Sequence, residues 1–383
     1  MRGGTVASMR VLAFGTYDVR SHPRIGVLIE GLRASGDDVV EVNIPLGLNT
    51  ANRVAMLRQP WRLPVGALRL ARCWARLTVR GRRAYRRQSP DAVLVGYMGH
   101  FDVQLARLLF RRSTIVLDHL IFAADTAVDR QVSSTMKMRL LGALDRRALR
   151  SADVILLDSV EHAELVPAEL ADRTLVVPVG APAAWFDAES AAGPRADPDV
   201  LRVAFFGLFT PLQGTPTIGR ALGLLADTPQ VRPLVIGTGQ DWAETRRLAR
   251  ANPAVEWVDW VEPAELPAVV ADQDVCLGIF GVGPKALRVV PNKVYQGAAA
   301  GCAIVTSDTR PQREALADAA VFIRAGDAEA LAGALLTLAE DPSALAKLRA
   351  AARDRARERF AAKVVVTALR ERLGARAGRR SGR

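Results

Sequence analysis

The chain has 383 residues, half of them hydrophobic and 24% charged, with a formal net charge of +12. That length carries two or three domains, and the composition excludes a wholly disordered protein. No apolar run approaches the roughly 18 residues of a membrane-spanning helix, which argues against an integral membrane protein.

Residues 1–8 are small and polar and read as a disordered extension ahead of Met9. The apolar run behind Met9 is too short for a signal peptide. Three widely spaced cysteines (Cys73, Cys276 and Cys302) fit a reducing cytoplasm rather than a disulfide framework. Four scattered histidines, with no CxxC or HExxH, argue against a dedicated metal site.

Residues 9–14 (MRVLAF) have the pattern of a buried strand, followed by a loop over 15–23, a helix over 24–34 and a strand over 38–43. Gly15 in that loop lets backbone approach a ligand, and Arg24 at the helix start can meet an anion. The next stretch is unusual. Between Glu41 and Asp91 there are eleven arginines and no acid. Six of them (Arg69, Arg72, Arg76, Arg80, Arg83 and Arg87) recur at helical spacing, with Leu70, Trp74, Leu77 and Tyr85 on a neighbouring face. A basic amphipathic helix over 65–87, anchored by Trp74, is the expectation, with an anionic membrane surface as its partner. A solvated face on a helix docked to its own domain is the plainer reading. No RNA-binding, zinc-finger or helix-turn-helix signature supports a nucleic-acid partner.

Strands at 92–95, 114–117, 154–157 and 174–178 continue the alternation, with helices around 102–110 and 136–150 between them. His119, with Asp118, lies just past the strand at 114–117, where α/β proteins keep their cleft chemistry. His119 is the best single candidate for a polar contact to a transferred group. Asp102, near His100, reads as a helix N-cap. Residues 187–199, rich in Ala, Gly, Pro and acids, read as the linker.

The pattern then restarts, with strands at 202–206, 232–236, 255–258, 275–279, 303–306 and 320–323 separated by helices. The fold class expected is therefore α/β: two Rossmann-like, doubly wound domains over 9–186 and 200–360, facing across a cleft. A C-terminal helix over 361–373 and a disordered basic tail over 374–383 complete the chain. Gly207 and Gly214 bound the loop after the first of these strands, and Gly237 and Gly239 end the second. The DxD at Asp272–Asp274 falls between a helix and a strand and reads as capping and turn residues. The densest site lies between 278 and 301, where Lys285, Arg288 and Lys293 accompany a helix start at Pro291-Asn292. Three cations and exposed helix N–H groups make a receptor suited to a diphosphate.

In this order the motifs resemble the GT-B glycosyltransferases of glycosyltransferase family 4. The marks are RTLVVPVG (173–180), the loop 206–214, the segment 236–239, VEWVDWVEPAELPAVVA (255–271) and above all PNKVYQGAAAGCAIVTSD (291–308). The resemblance implies a retaining, hexosyltransferase-like enzyme that moves a sugar from a nucleotide-diphosphate sugar to an acceptor hydroxyl, with no metal or other cofactor required. It places Lys285 and Arg288 at the departing diphosphate and His119 at the donor sugar. Gly15, Gly207, Gly214, Asn292 and Lys293 would line the donor, with Gln296 at the ribose and Gly237 and Gly239 at the base. With the basic helix it implies a membrane-associated glycolipid or polysaccharide acceptor on the inner face of the cell membrane. Two departures stand out. Gln213 occupies the position of the family's loop lysine, and Arg288 and Gln296 stand where it carries two glutamates. An inactive sugar-binding or membrane-scaffold protein and a nucleotide-sugar epimerase are the alternative readings.

Overall fold

The computed structural model describes residues 7–19, 23–47, 63–123, 135–193 and 199–381. The expected extension over 1–8 lies outside these residues, apart from Ala7 and Ser8. Two units emerge, one formed by residues 1–177 with 362–383 and the other by residues 178–361.

The first unit is built on a six-stranded parallel sheet: β1 (Arg10–Gly15), β2 (Asp38–Asn43), β3 (Ala92–Val95), β4 (Thr114–Asp118), β5 (Val154–Leu157) and β6 (Thr174–Val176), in the order β2-β1-β3-β4-β5-β6. Side chains alternate across each strand, so β1 feeds two cores. Val11 and Ala13 pack with the helix Arg24–Ala34 and with Val365, Val366 and Leu369 near the C-terminus. Leu12 and Phe14 pack on the other face with Leu77, Val103, Phe110 and Leu149. Both faces are covered, and for that reason the strands read as continuous apolar runs.

The second unit repeats the plan with β7 (Leu201–Phe206), β8 (Val231–Ile236), β9 (Glu256–Val258), β10 (Val275–Leu277), β11 (Ala303–Ser307) and β12 (Ala320–Ile323), ordered β12-β11-β10-β7-β8-β9. In both sheets the order reverses beside the first strand of the unit, at β1/β3 and at β7/β10. That is where a doubly wound sheet opens a crevice at its strand ends.

The expected boundaries need correction. Residues 187–191 belong to a helix, Ala183–Ala191, whose Trp185 stacks on Phe206 at 5.6 Å inside the second unit. The chain passes between units at 177/178 instead. The expected separate C-terminal helix and disordered tail form two helices, Ala362–Val365 and Thr367–Ser381. They return to the first unit, where Arg370 donates to Asp37 at 2.8 Å. Gly31 permits this return, because a Cβ there would stand 2.1 Å from the Ala362 carbonyl oxygen.

Candidate functional site

In the second unit β7 runs into the loop Gly207–Gly214, and the next helix, Thr215–Leu224, starts directly behind it. Gly214 has φ +64, and a Cβ there would meet the Phe280 backbone at 2.3 Å, so this position requires glycine. Gly237 ends β8 so close to β7 that a Cβ would lie 2.1 Å from the Gly207 carbonyl oxygen. Gly239 pairs with Phe209 in an isolated parallel bridge. The two glycine loops, with Gly207, Gly214, Gly237 and Gly239, thus lie side by side at the carboxyl ends of neighbouring strands.

Below them sits the helix Asn292–Ala299, which opens behind Pro291. Gly297 lets it press on β10, since a Cβ there would be 2.6 Å from the Cys276 sulfur. This close packing carries Lys293 inward, where it is 5% exposed. Its Nζ donates to Gln213 Oε1 at 2.6 Å and lies 3.6 Å from the centre of the Phe205 ring. A Cβ on Gly207 would come within 3.2 Å of the same nitrogen. The helix therefore delivers an amino group to the loop position where Gln213 brings none. Burial pushes the Lys293 pKa down to about 7, so its charge is set by whatever anion lies beside it.

Lys285, which precedes the short turn Ala286–Arg288, and Arg288, which ends it, are both half-buried ahead of the same helix. Asn292 is the first residue of the helix and is half-buried, whereas Gln296 lies on its buried side. Of the three cations grouped by sequence, Lys293 is the one the structure brings to Gly207 and Gln213. The DxD carboxylates serve structure: Asp274 accepts from the Arg202 backbone at 2.9 Å and from Arg349 at 3.2 Å.

In the first unit the loops after β1, β3 and β4 meet at the reversal point. Gly15 ends β1, and a Cβ there would approach Asp102 at 3.1 Å. Asp102 is not a helix N-cap: it accepts from the Thr16 backbone and hydroxyl at 2.7 and 2.8 Å and from Trp74 Nε1 at 2.9 Å. Arg24 does not await an external anion either. Fully buried, it donates to Asp118 at 2.7 Å and to the Val177 carbonyl at 2.8 Å. Burial raises the Asp118 pKa above the usual carboxylate range, against the pull of Arg24. Removing one partner strands the other charge. Arg24→Met is expected to cost about 3–5 kcal/mol in urea unfolding, and adding Asp118→Leu should recover most of it. Equal losses for the single and double variants would refute this.

His119 departs furthest from expectation. It is 2% exposed, its ring turned inward against His100 and Phe122. Desolvation, helped by His100, lowers its pKa to about 3, so it is a neutral imidazole. Asp145, a carboxylate 4.0 Å from its Nε2, carries no local motif that a sequence pattern would flag.

The basic helix runs from Leu63 to Gln88. Arg69, Arg72, Arg76, Arg80, Arg83 and Arg87 are all exposed. Trp74 is half-buried and bonded to Asp102, and Leu77 is fully buried. The apolar face thus docks on the helix's own sheet, which removes Trp74 as a membrane anchor. Exposed aliphatics nevertheless share the outer surface. Val65, Leu68 and Val79 stand among the arginines, and Leu108, Met136 and Leu140 occupy the helices Asp102–Leu109 and Thr135–Ser151 of the same layer. Arg107, Arg146, Arg147, Arg150 and Arg173 line a cleft of about 840 Å³ at the end of that layer. Among the described residues no helix is long and apolar enough to cross a membrane.

Comparison with known proteins agrees with this architecture. Residues 201–341 match the family described as glycosyl transferases group 1. Sucrose-phosphate synthase from Thermosynechococcus elongatus superposes with a TM-score of 0.65 at 15% identity, covering 97% of this chain and 98% of that one. HepE of Anabaena, solved with UDP and glucose, gives 0.65 at 15% identity over 96% of this chain and 100% of its own. UDP-GlcNAc 2-epimerase from Neisseria meningitidis gives 0.54 at 12% identity over 95% and 99%. A search of curated protein sequences finds no match. With two Rossmann-like units and a family match covering most of the second, the chain has the GT-B fold and its residues 201–341 form a group 1 glycosyltransferase domain.

Proposed function

We propose that the protein transfers a hexose, with retention of anomeric configuration, from a nucleoside-diphosphate sugar held by the second unit to the hydroxyl of a glycolipid or polysaccharide precursor at an anionic membrane surface. The observation that supports this most is the Lys293 amino group, fixed by Gln213 under the glycine loops at the carboxyl end of β7. As the sugar–phosphate bond breaks, negative charge grows on the outer phosphate. An amino group already in place and withdrawn from water stabilises that charge without reorganisation. Lys285, Arg288 and the helix start at Asn292 add to it from the adjoining turn. The acceptor hydroxyl attacks the face that the diphosphate leaves and gives its proton to the leaving phosphate, so no strong protein base is needed. Gln296 takes the ribose hydroxyls, and Gly237 and Gly239 line the base.

HepE binds UDP, which makes uridine diphosphate the first ligand to try. In a thermal-shift panel of UDP, GDP, ADP and dTDP, one diphosphate at a hundred times its dissociation constant should stabilise the protein by about 2.7 kcal/mol. Labelled donor should then be consumed with an acceptor lipid present. Binding of a diphosphate with no turnover of any common donor would instead support an inactive sugar-binding protein.

The membrane part of the reading rests on the arginine-rich outer layer of the first unit. Aliphatic side chains among exposed arginines suit an interface where headgroup phosphates lie over acyl chains.

A further inference from the structure

We propose that the first unit binds a divalent transition-metal ion, zinc by preference, between His100, His119 and Asp145. The three residues come from separate elements: His100 from the loop after β3, His119 from the residue directly after β4, and Asp145 from the helix Thr135–Ser151. All three are buried, and their ligand atoms lie within 4.8 Å of one another. His100 Nε2 stands 2.9 Å from Asp145 Oδ1, and His119 Nε2 stands 4.0 Å from the same oxygen. A tetrahedral zinc ion with bonds of 2.0–2.2 Å holds its ligand atoms about 3.3–3.6 Å apart. These two separations fall on either side of that value and the third is no more than 4.8 Å, so side-chain shifts of about one ångström complete the site.

The chemistry of the set agrees with the spacing. Two imidazoles and one carboxylate form a borderline-soft ligand set that favours zinc over magnesium or calcium. His119 Nε2 is enclosed and has no hydrogen-bond partner among the described residues, which is costly for a buried polar atom and is relieved by coordination. His100 Nε2 is hydrogen-bonded to Asp145 Oδ1. On metal binding the imidazole takes the tautomer with its proton on Nδ1, and the Nε2 lone pair becomes a ligand. Asp145 Oδ1 also accepts the Ala123 backbone N–H at 2.9 Å, which orients the carboxylate from outside the site. His162 stays out of the set, because its Nδ1 is paired with Asp158 at 2.5 Å. With three protein ligands, the fourth position is left for water. Such an ion would clamp the loops after β3 and β4 to the helix behind them, a positioning role separate from the donor site in the second unit.

The test is cobalt and zinc titration of the full chain after dialysis against a chelator. One Co²⁺ per chain should bind with the strong visible absorption of a tetrahedral site, and Zn²⁺ should displace it one for one. His119→Ala and Asp145→Asn should each weaken binding at least tenfold, while His162→Gln should leave it unchanged. Asp145→Asn keeps the size and the Ala123 hydrogen bond, so it separates loss of a ligand from loss of fold. Absence of stoichiometric Co²⁺ and Zn²⁺ binding by the unaltered chain overturns the proposal. So does binding that survives both His119→Ala and Asp145→Asn.

Discussion

Lys293→Met is expected to weaken nucleoside-diphosphate binding about a hundredfold while leaving the protein better able to resist unfolding below pH 7. The two effects share one cause. Lys293 is buried against Phe205 with Gln213 as its hydrogen-bond acceptor, and that environment holds its pKa near 7. In the unfolded chain it returns to its ordinary value of 10.5. Between those values the unfolded state binds more protons than the folded one, so stability rises as pH climbs from about 7 to 10.5. Below pH 7 the folded protein bears the full cost of an enclosed ammonium, and methionine removes that cost while keeping a long unbranched stem. A bound diphosphate has the opposite effect, because it fixes the proton on Lys293. Its affinity should therefore fall as pH rises through 7 in the wild type, and the variant should show no such dependence. The hundredfold loss corresponds to the roughly 2–5 kcal/mol carried by a desolvated charge pair. Calorimetric titration with the diphosphate at pH 6, 7, 8 and 9, beside urea unfolding at the same values, reads both sides. Unchanged affinity in Lys293→Met would remove the central support for the donor site.

The second large effect concerns the outer layer of the first unit. Changing Arg69, Arg72, Arg76, Arg80, Arg83 and Arg87 together to glutamine should reduce binding to phosphatidylserine-containing vesicles by about four orders of magnitude, at roughly 1 kcal/mol for each charge near the surface. The fold should survive, because all six side chains are exposed, and substitutions of that kind usually change stability by about 0.5 kcal/mol or less each. Wild-type binding should weaken with added salt and be slight on phosphatidylcholine alone. Cosedimentation measures both. Binding to duplex DNA or RNA at least as tight as to the anionic vesicles would favour a nucleic-acid partner and defeat the membrane reading.

Periodicity carried a great deal of this in one dimension. Apolar runs of four to six residues alternating with amphipathic segments specify parallel strands under helices, because a strand covered on both faces has no polar side to show. The PNKVY segment announced a helix start with a cation, and the small residues after it announced close packing on a strand, which Gly297 against Cys276 provides. The arginine stripe was equally legible, since helical spacing is a local property, whereas its exposure came from the folded chain.

Orientation in three dimensions was not. Arg370 and Asp37 meet across 333 positions, and no local pattern shows that the C-terminal helices close the first unit. Trp74 and the arginines share a helix, but only the packed sheet, with Asp102 at its strand ends, decides that Trp74 turns inward. His119 stands at a strand end as the pattern required, yet its ring packs edge-on against Phe122, 4.0 Å from Asp145, and that burial keeps it neutral. Lys293 and Gln213, 80 positions apart, become partners only when β7 and the helix Asn292–Ala299 pack together. The linear code thus determined which elements form and which faces are apolar, through hydrophobic periods a few residues long. The folded chain decided which polar atoms meet, because burial and hydrogen bonding are settled by neighbours distant in sequence.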